Sequence, residues 1–267
     1  MNNSIDPGAM AEFAVQIAEE AGRIALRYFR TDLDVTNKSK KRAFDPVTRA
    51  DREVEACIRA RIIERFPGHR IVGEEFGSEG HAAAPAWLID PIDGTRTFIS
   101  GSPMWGVLLG LIDGDQCVAG LMHQPFVGET FVGSSAGAFL VRTGQWRKLA
   151  ARGTKTIAEA TLACTQPGMF RTPPELDAFR RVETACRLSR YGTECYGYCL
   201  LAAGFLDIVI EADLEPYDIV PLIPVVEAAG GVVSNWRGDA AIAGGGVVAC
   251  ATPVLHEKVL ELLNRIA

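Results

Sequence analysis

Apolar residues recur at helical spacing in the first quarter of the chain. Over residues 11–30 they return every three or four positions, which predicts an amphipathic helix. The same spacing predicts a second helix over residues 47–66, which the Pro67–Gly68 pair would end. Residues 31–46 (TDLDVTNKSKKRAFDP) are polar and lack periodicity, so we expect an exposed, mobile loop between the two helices.

Shorter apolar runs follow, and their lengths are typical of strands. Between residues 71 and 149, RIVG, AWLID, GVLLGLID, CVAGLMH, ETFVGS and AFLV alternate with turns of Gly, Asp and Pro, which predicts a largely antiparallel sheet. Later in the chain strands alternate with helices, and a closing helix is predicted over residues 253–267. We therefore predict a layered, two-part architecture, with an α+β half over residues 1–150 and an α/β half over residues 151–267.

One predicted helix contains two prolines. It follows the strand LDIVIEA and ends at Gly230, which is well placed as its C-terminal cap. Pro221 suits an opening turn, whereas Pro224 would remove a backbone hydrogen bond and bend the helix.

Composition excludes several classes of protein. The chain of 267 residues is 48% hydrophobic and 22% charged, as is usual for a globular protein. Its net charge of -6 argues against a nucleic-acid partner, although a bound metal would still allow an anionic substrate. We expect no membrane association, because a membrane span needs about 18 apolar residues and no apolar run approaches that length. The segment MNNSIDPGAM lacks the basic and apolar regions of a secretory signal, and Met10 is a second candidate for the native start.

The cysteines indicate a reducing compartment, and we expect a cytoplasmic protein. There are seven of them, with no CxxC pair and no neighbouring histidines, which favours free thiols over disulfides or a zinc site. Cys195 and Cys199 are four residues apart, which we interpret as a buried helical face rather than a redox pair.

Candidate chemistry begins in the segment WLIDPIDGT. A core strand ends at Asp90, and Asp93 follows in a turn that Pro91 and Gly94 make rigid. Without other acidic residues nearby, a DPxDG segment is usually an ordinary solvated turn. The alternative is a hard-cation site, in which carboxylates and a backbone carbonyl supply oxygen ligands to Mg²⁺.

Three other acidic positions lie at the ends of predicted elements. Glu74 follows a strand in VGEEFG, Asp51 lies in the first turns of the second helix, and Asp218 begins a later helix. Each has an ordinary interpretation as a surface carboxylate or a helix cap. If they converged, like charges 4 Å apart would repel by about 4 kcal/mol at an effective dielectric constant near 20, and Mg²⁺ would reverse this.

The residues after the aspartates add an anion site to this hypothesis. A short helix beginning at Thr95 would direct free backbone N–H groups at an anion. Carboxylates for metal beside amides for phosphate suit a phosphomonoester hydrolase.

Four segments together resemble a known family. DPVTRAD, GEE, WLIDPIDGTRTF and YDIVPLIPVVEAAGG are similar, in this order, to motifs of the inositol monophosphatase family of lithium-sensitive, Mg²⁺-dependent phosphatases. The resemblance extends from about Glu12 to the C-terminus. It implies an α+β / α/β fold, the layered αβαβα sandwich of the inositol monophosphatase and fructose bisphosphatase type. It also implies a phosphate ester substrate and a homodimer.

The resemblance also implies a metal site of two Mg²⁺ ions. Glu74, Asp90 and the carbonyl of Ile92 would bind the first ion. Asp90, Asp93 and Asp218 would bind the second, and Glu74 is also open to a third, weaker ion.

The catalytic roles come from the same resemblance. Thr95, with Glu74 or Asp51, would orient the attacking water. The amides of Gly94 and Thr95 would hold the phosphate.

Two details favour L-histidinol phosphate as the substrate. FISGSPMWGVLLGLID and HQPFVGETFVG resemble the bacterial histidinol-phosphate phosphatase branch most. Asp93, Glu194 and Glu211 would face the leaving alcohol, and two glutamates suit the ammonium and imidazole of histidinol better than they suit inositol. Glu194 has an alternative interpretation as an acid at a helix N-terminus, and Glu211 would serve inositol too.

Two other functions stay open. One is an inositol-1-monophosphatase or a broad-specificity sugar or polyol phosphatase. The other is a catalytically silent regulator that binds phosphorylated ligands or a partner protein. The complete set of acidic residues argues against the regulator, since a silent protein has no need of so many carboxylates together.

Overall fold

The structure, a computed structural model, describes residues 6–33, 35–37 and 46–265. Most of the predicted loop over residues 31–46 lies outside them. Two short strands at its margins pair antiparallel, β1 (Thr36–Asn37) and β2 (Pro46–Val47). The described ranges hold no helix that is long and apolar enough to cross a lipid bilayer.

The described chain contains eight α-helices, and it begins and ends with one of them. They are α1 (Pro7–Leu26), α2 (Arg49–Arg65), α3 (Thr95–Ile99), α4 (Pro173–Ala185), α5 (Glu194–Ala202), α6 (Pro216–Ile219), α7 (Ile223–Glu227) and α8 (Pro253–Leu263). The helices predicted over residues 11–30 and 47–66 correspond to α1 and α2. The first begins earlier than predicted because the Asp6 side chain accepts the Gly8 amide as an N-cap and Pro7 suits the first turn.

The first sheet follows α2 and is antiparallel except for one pair. Its strands are β3 (Arg70–Gly73), β4 (Gly77–Glu79), β5 (Ala86–Asp93), β6 (Gly106–Asp113), β7 (Gln116–Gln124), β8 (Glu129–Ser134), β9 (Gly137–Arg142) and β10 (Gln145–Lys148). They lie in the order β10-β9-β8-β7-β6-β5-β3-β4, and only β3 and β5 are parallel. The predicted antiparallel character is therefore confirmed, with an exception at the strand that ends in the aspartates.

The second sheet is mixed. Its strands are β11 (Thr161–Cys164), β12 (Leu188–Tyr191), β13 (Ile208–Leu214), β14 (Val232–Asn235) and β15 (Gly245–Cys250). Their order is β12-β11-β13-β15-β14, in which β11 runs parallel to both of its neighbours.

The two sheets and the helices form five layers. One apolar cluster lies between α1, α2 and the first sheet. A second joins the other face of that sheet to α5, α7 and the second sheet, and a third lies under α4 and α8. This arrangement confirms the αβαβα sandwich. The division at residue 150 stays a prediction about domains, and the second cluster contains side chains from both sides of it.

The helix predicted to precede Gly230 is in fact two short helices. The first of them, α6, ends at Ile219 and α7 begins at Ile223, although Val220 and Leu222 between them keep right-handed helical φ and ψ angles. The prediction that Pro224 bends a continuous helix is wrong, because this proline lies in the first turn of α7. A first-turn proline removes no helical hydrogen bond, since that N–H group has no partner within the helix.

Candidate active site

The carboxylates of Asp90, Asp93 and Asp218 converge. Each offers one oxygen atom, and these oxygens lie within 4.8 Å of one another. The pairing of β5 with β6 shifts register between Asp90 and Asp93, an irregularity of the kind that redirects side chains at a strand end. The predicted convergence of these three residues is thus present in the structure.

The turn after Asp90 is held by its own hydrogen bonds. The Oδ1 atom of Asp90 accepts the amide of Ile92 at 2.9 Å, and the Thr95 hydroxyl donates to the Ile92 carbonyl at 3.2 Å. Gly94 has a φ of 82°, in the left-handed region where a glycine is not strained, and α3 begins directly after it. Gly94 and Thr95 both line the cavity beside the aspartates.

Asp218 reaches the same place from the second half of the chain. It is the third residue of α6, where its Oδ2 atom accepts the amide of Glu215 at 2.8 Å in a capping box. The N-cap of α6 is Glu215, so Asp218 is the N3 partner of the capping box rather than the N-cap, and it also faces Asp90 and Asp93.

A row of glycines lets the segment around α6 lie close to the first sheet. Gly110, Gly120 and Gly133 are register partners on β6, β7 and β8. A Cβ atom on Gly120 would lie 2.1 Å from the carbonyl oxygen of Pro221, and one on Gly133 would lie 2.2 Å from that of Pro224. Only glycine permits this approach, which places the backbone that follows Asp218 directly on the sheet.

Glu74 and Asp51 lie beside the three aspartates. The amide of Glu74 donates to the Ile89 carbonyl at 3.2 Å, and Glu74 lines a cavity together with Asp218. Asp51 is fully buried in the first turn of α2, where its Oδ2 atom accepts both the amide and the hydroxyl of Thr48. Its Oδ1 atom is buried without a hydrogen-bond partner among the described residues.

Burial and mutual repulsion raise the pKa values of the three aspartates. Burial raises the pKa of Asp90 well above its usual range, and the charges on Glu74, Asp93 and Asp218 add to the effect. Burial likewise raises the pKa of Asp218, with Asp93 as the next cause. A buried group of like charges is unfavourable unless a cation compensates it.

The donor set fits a hard divalent cation. Carboxylate oxygens and the backbone carbonyl of Ile92 are the ligands that Mg²⁺ prefers, and neither cysteine nor histidine belongs to the acidic group of three. The Mg²⁺ dependence that the family resemblance implies agrees with this donor set.

A cavity of about 410 Å³ opens from the aspartates and contains both predicted specificity residues. Glu194 begins α5 with a φ of 42°, and its Oε1 atom accepts the Thr97 hydroxyl at 2.6 Å. Its Oε2 atom is buried with no partner in the described parts of the chain. Burial raises the pKa of Glu194 to about 7, and the charge on Asp93 acts in the same direction.

Glu211 lies on β13 at the other side of this cavity. Its Oε1 atom accepts the amide and the hydroxyl of Thr165, and its Oε2 atom accepts the Tyr198 hydroxyl at 3.2 Å. Burial raises its pKa to about 7 against these hydrogen bonds. Two carboxylates of unusual proton affinity therefore face one cavity beside Asp93.

Several residues of the cavity wall were not predicted from the sequence. Arg96, Thr165 and Tyr198 line it, and none was singled out. Thr165 had a usable signal, because it follows a strand, and strand ends often carry site residues in α/β folds. The predicted buried face of α5 is present, since Cys195 and Cys199 are both buried and free.

Comparison with known proteins agrees with this geometry. The model of the inositol monophosphatase family matches residues 6–267. A chloroplastic bifunctional phosphatase from Arabidopsis thaliana is 34% identical over 259 residues, which cover 93% of this chain and 73% of the relative. A histidinol-phosphatase from Chlorobaculum parvum is also 34% identical, over 95% of this chain and 96% of its own length.

The solved structures give the same result. An inositol monophosphatase from Zymomonas mobilis superposes with a TM-score of 0.86 at 30% identity, over 98% of this chain and 100% of that one. The chain therefore belongs to the inositol monophosphatase family and is a phosphoric monoester hydrolase.

Proposed function

We propose that this protein hydrolyses L-histidinol phosphate to histidinol and inorganic phosphate in a Mg²⁺-dependent reaction. The observation that carries the proposal is the pair of carboxylates, Glu194 and Glu211, in one cavity beside the aspartate cluster. The similarity to the histidinol-phosphatase of Chlorobaculum parvum supports it. Histidinol presents an ammonium group and an imidazole, and each is a partner for a buried carboxylate.

The metal ligands in this proposal are the five groups implied by the family resemblance. Glu74, Asp90 and the Ile92 carbonyl hold one ion, while Asp90, Asp93 and Asp218 hold another, and Glu74 is open to a third, weaker ion. When bound, Mg²⁺ neutralises the phosphoryl oxygens, makes water a better nucleophile and stabilises the leaving oxygen.

The protein groups around the cluster orient the other reactants. The amides of Gly94 and Thr95 bind the phosphate at the start of α3. The Thr95 hydroxyl lies against the Ile92 carbonyl at 3.2 Å, so it is fixed as a partner for the attacking water. Asp51 offers its unpartnered Oδ1 atom, and either Asp51 or Glu74 accepts the second hydrogen bond of that water.

Charge distinguishes the proposed substrate from inositol phosphate. A cationic group beside Glu194 or Glu211 favours the ionised carboxylate and recovers part of the penalty of burial. The hydroxyls of inositol also donate hydrogen bonds to a carboxylate, but they carry no positive charge to compensate a buried negative one. The Oε2 atom of Glu194, which is buried without a described partner, is the position where this difference is largest.

An inositol-1-phosphatase or a broad-specificity sugar phosphatase is the alternative. The similarity to the Zymomonas mobilis inositol monophosphatase favours it. Glu211 is compatible with either substrate, because a carboxylate held by Thr165 and Tyr198 also accepts hydrogen bonds from hydroxyl groups.

The deciding experiment measures phosphate release from histidinol phosphate and from inositol 1-phosphate side by side, with Mg²⁺ and with chelator. Asp90→Asn serves as the inactive control. Mg²⁺-dependent turnover that strongly favours histidinol phosphate would support the proposal. Equal or greater turnover of inositol phosphate would replace the substrate while keeping the metal site.

Two features implied earlier stay predictions. The family resemblance implies a homodimer, which light scattering at several protein concentrations would test. The free cysteines suit a reducing compartment, so a cytoplasmic location also stays a prediction, which fractionation of the source cells would test.

A further inference from the structure

Glu55 is a fully buried carboxylate on α2 that does not belong to the aspartate cluster. It accepts the amide of Glu75 at 2.7 Å and the amide of Phe76 at 3.3 Å. These two residues follow Glu74 directly in the chain. One buried side chain thus holds the backbone of the turn that carries a proposed metal ligand.

The residue before this turn shows how closely Glu55 approaches. A Cβ atom on Gly73 would lie 2.0 Å from the Oε1 atom of Glu55, so only glycine fits at this position. On the other side, the Glu74 amide is fixed to the Ile89 carbonyl of β5. The glycine of the GEE segment therefore makes room for Glu55, and Glu74 is held between α2 and β5.

Arg59 extends the contact to the next strand. Its Nε atom donates to the Glu55 Oε1 atom at 2.7 Å, and its guanidinium also donates to the Gly77 carbonyl and lies 3.5 Å from Glu79. Glu55 and Arg59 are both buried. A buried ion pair contributes little net stability compared with apolar residues of the same volume, so its value here lies in the position it gives to the turn.

We propose that Glu55, supported by Arg59, is a positioning residue that sets Glu74 for metal binding without touching the ion. The inference rests on the proposed Mg²⁺ site. Asp51 lies one helical turn before Glu55 on α2, so the same helix face carries a catalytic candidate and the group that orders the ligand turn. Residues that hydrogen-bond around a ligand commonly change metal affinity by 10–100-fold.

The test is metal binding without substrate. Mn²⁺ affinity is measured by electron paramagnetic resonance for the wild type, Glu55→Gln and the control Glu53→Gln. Glu53 lies on the same helix but forms exposed ion pairs with Arg27 and Arg49. We expect Glu55→Gln to weaken Mn²⁺ binding by about ten-fold or more, and Glu53→Gln to leave it unchanged.

A second readout separates positioning from a general loss of stability. In Glu55→Gln the Mg²⁺ concentration for half-maximal phosphate release rises in parallel with the Mn²⁺ dissociation constant. The KM for the phosphate ester at saturating Mg²⁺ stays at the wild-type value. A role only in stability would lower the melting temperature and leave both metal measurements unchanged, which would overturn the inference.

The remaining outcomes are also decisive. If Glu55→Gln does not fold, Arg59→Lys replaces it, since it keeps Glu55 and loses the guanidinium contact to Gly77; wild-type Mn²⁺ affinity in that variant would overturn the inference. A wild-type protein that binds no divalent ion would overturn the proposed function and the inference with it. Wild-type binding with an unaffected Glu55→Gln variant would overturn the inference alone.

Discussion

The backbone amide of Cys195 donates a hydrogen bond to the Oδ2 atom of Asp93 at 2.9 Å, although 102 residues separate the two in the chain. The bond joins the first turn of α5 to the turn at the end of β5. Because Glu194 directly precedes Cys195, this contact holds the proposed specificity carboxylate near the aspartate cluster. A backbone hydrogen bond therefore joins the proposed metal site to the proposed substrate site.

We expect Glu194→Gln to reduce selectivity rather than general activity. The substitution keeps the contact to Thr97 but removes the charge that would pair with a cationic leaving group. Hydrogen bonds to charged groups are worth about 1.5–3 kcal/mol, so kcat/KM for histidinol phosphate should fall by about 10–100-fold. Steady-state phosphate release on both esters measures this, with inositol 1-phosphate turnover close to wild type.

Glu261→Gln is the matched control for that variant, because Glu261 is an exposed glutamate on α8. It should leave both substrates unaffected. A Glu194→Gln enzyme that loses both activities equally would show that Glu194 supports the site and does not select the substrate.

The perturbed carboxyls predict an unusual pH dependence of stability. Burial raises the pKa of Glu194 and of Glu211 to about 7, above the ordinary value of 4.5. Between pH 4.5 and about pH 7 these two carboxyls keep their protons in the folded protein, whereas the unfolded chain has released them. Their contribution to the free energy of unfolding is therefore present at low pH and is lost as the pH rises toward 7. The raised pKa of Asp90 acts in the same direction.

Thermal denaturation in chelator from pH 5 to pH 8 measures this effect. We expect the melting temperature of the metal-free protein to fall over this interval, and Mg²⁺ to reduce the fall because it binds the ionised aspartates. A metal-free protein whose stability rises through pH 7 would contradict the assignment of the raised pKa values.

The sequence was most informative where a motif is short and local. Asp90 and Asp93 could be predicted as a site because a strand end, a proline and a glycine lie within a few residues. Their meeting with Asp218 depended on the family resemblance, since contacts between distant segments are not visible in one sequence. The layers of the sandwich followed from the change between antiparallel and alternating patterns.

Other features depend on register, which a single sequence does not show. Gly110 and Gly120 become meaningful only when the pairing of β6 with β7 places them side by side under Pro221. For the same reason Pro224 was misread, because a proline that bends a long helix and one that starts a new helix have the same local sequence. Glu55 was not predicted as a site residue, because its contacts with residues 75 and 76 join segments that are distant in the sequence.

We expect Asp90→Asn to abolish turnover and to stabilise the metal-free protein. The asparagine keeps an oxygen for the Ile92 amide and cannot ionise, so at a pH where Asp90 is charged it removes one charge from a buried cluster of like charges. Activity in Mg²⁺ should fall by more than the about 100-fold that loss of a group outside the ligand set can cost, while the melting temperature in chelator should rise above the wild-type value. A lower melting temperature in chelator would mean that repulsion among these carboxylates is not a major term in the stability of the protein.

The glycine row predicts that a change far from the ligands alters metal binding. A Cβ atom on Gly120 would lie 2.1 Å from the carbonyl oxygen of Pro221, so Gly120→Ala must displace the segment that links α6 to α7. Overpacking of this kind typically costs about 1–3 kcal/mol, and the displaced segment begins directly after α6, the helix that carries Asp218. Gly153→Ala is the control, because a Cβ atom there meets nothing within 4 Å. Denaturant unfolding and Mn²⁺ titration should show loss of both stability and metal affinity in Gly120→Ala alone, and undiminished affinity in that variant would mean that Asp218 is held by α6 independently of the sheet.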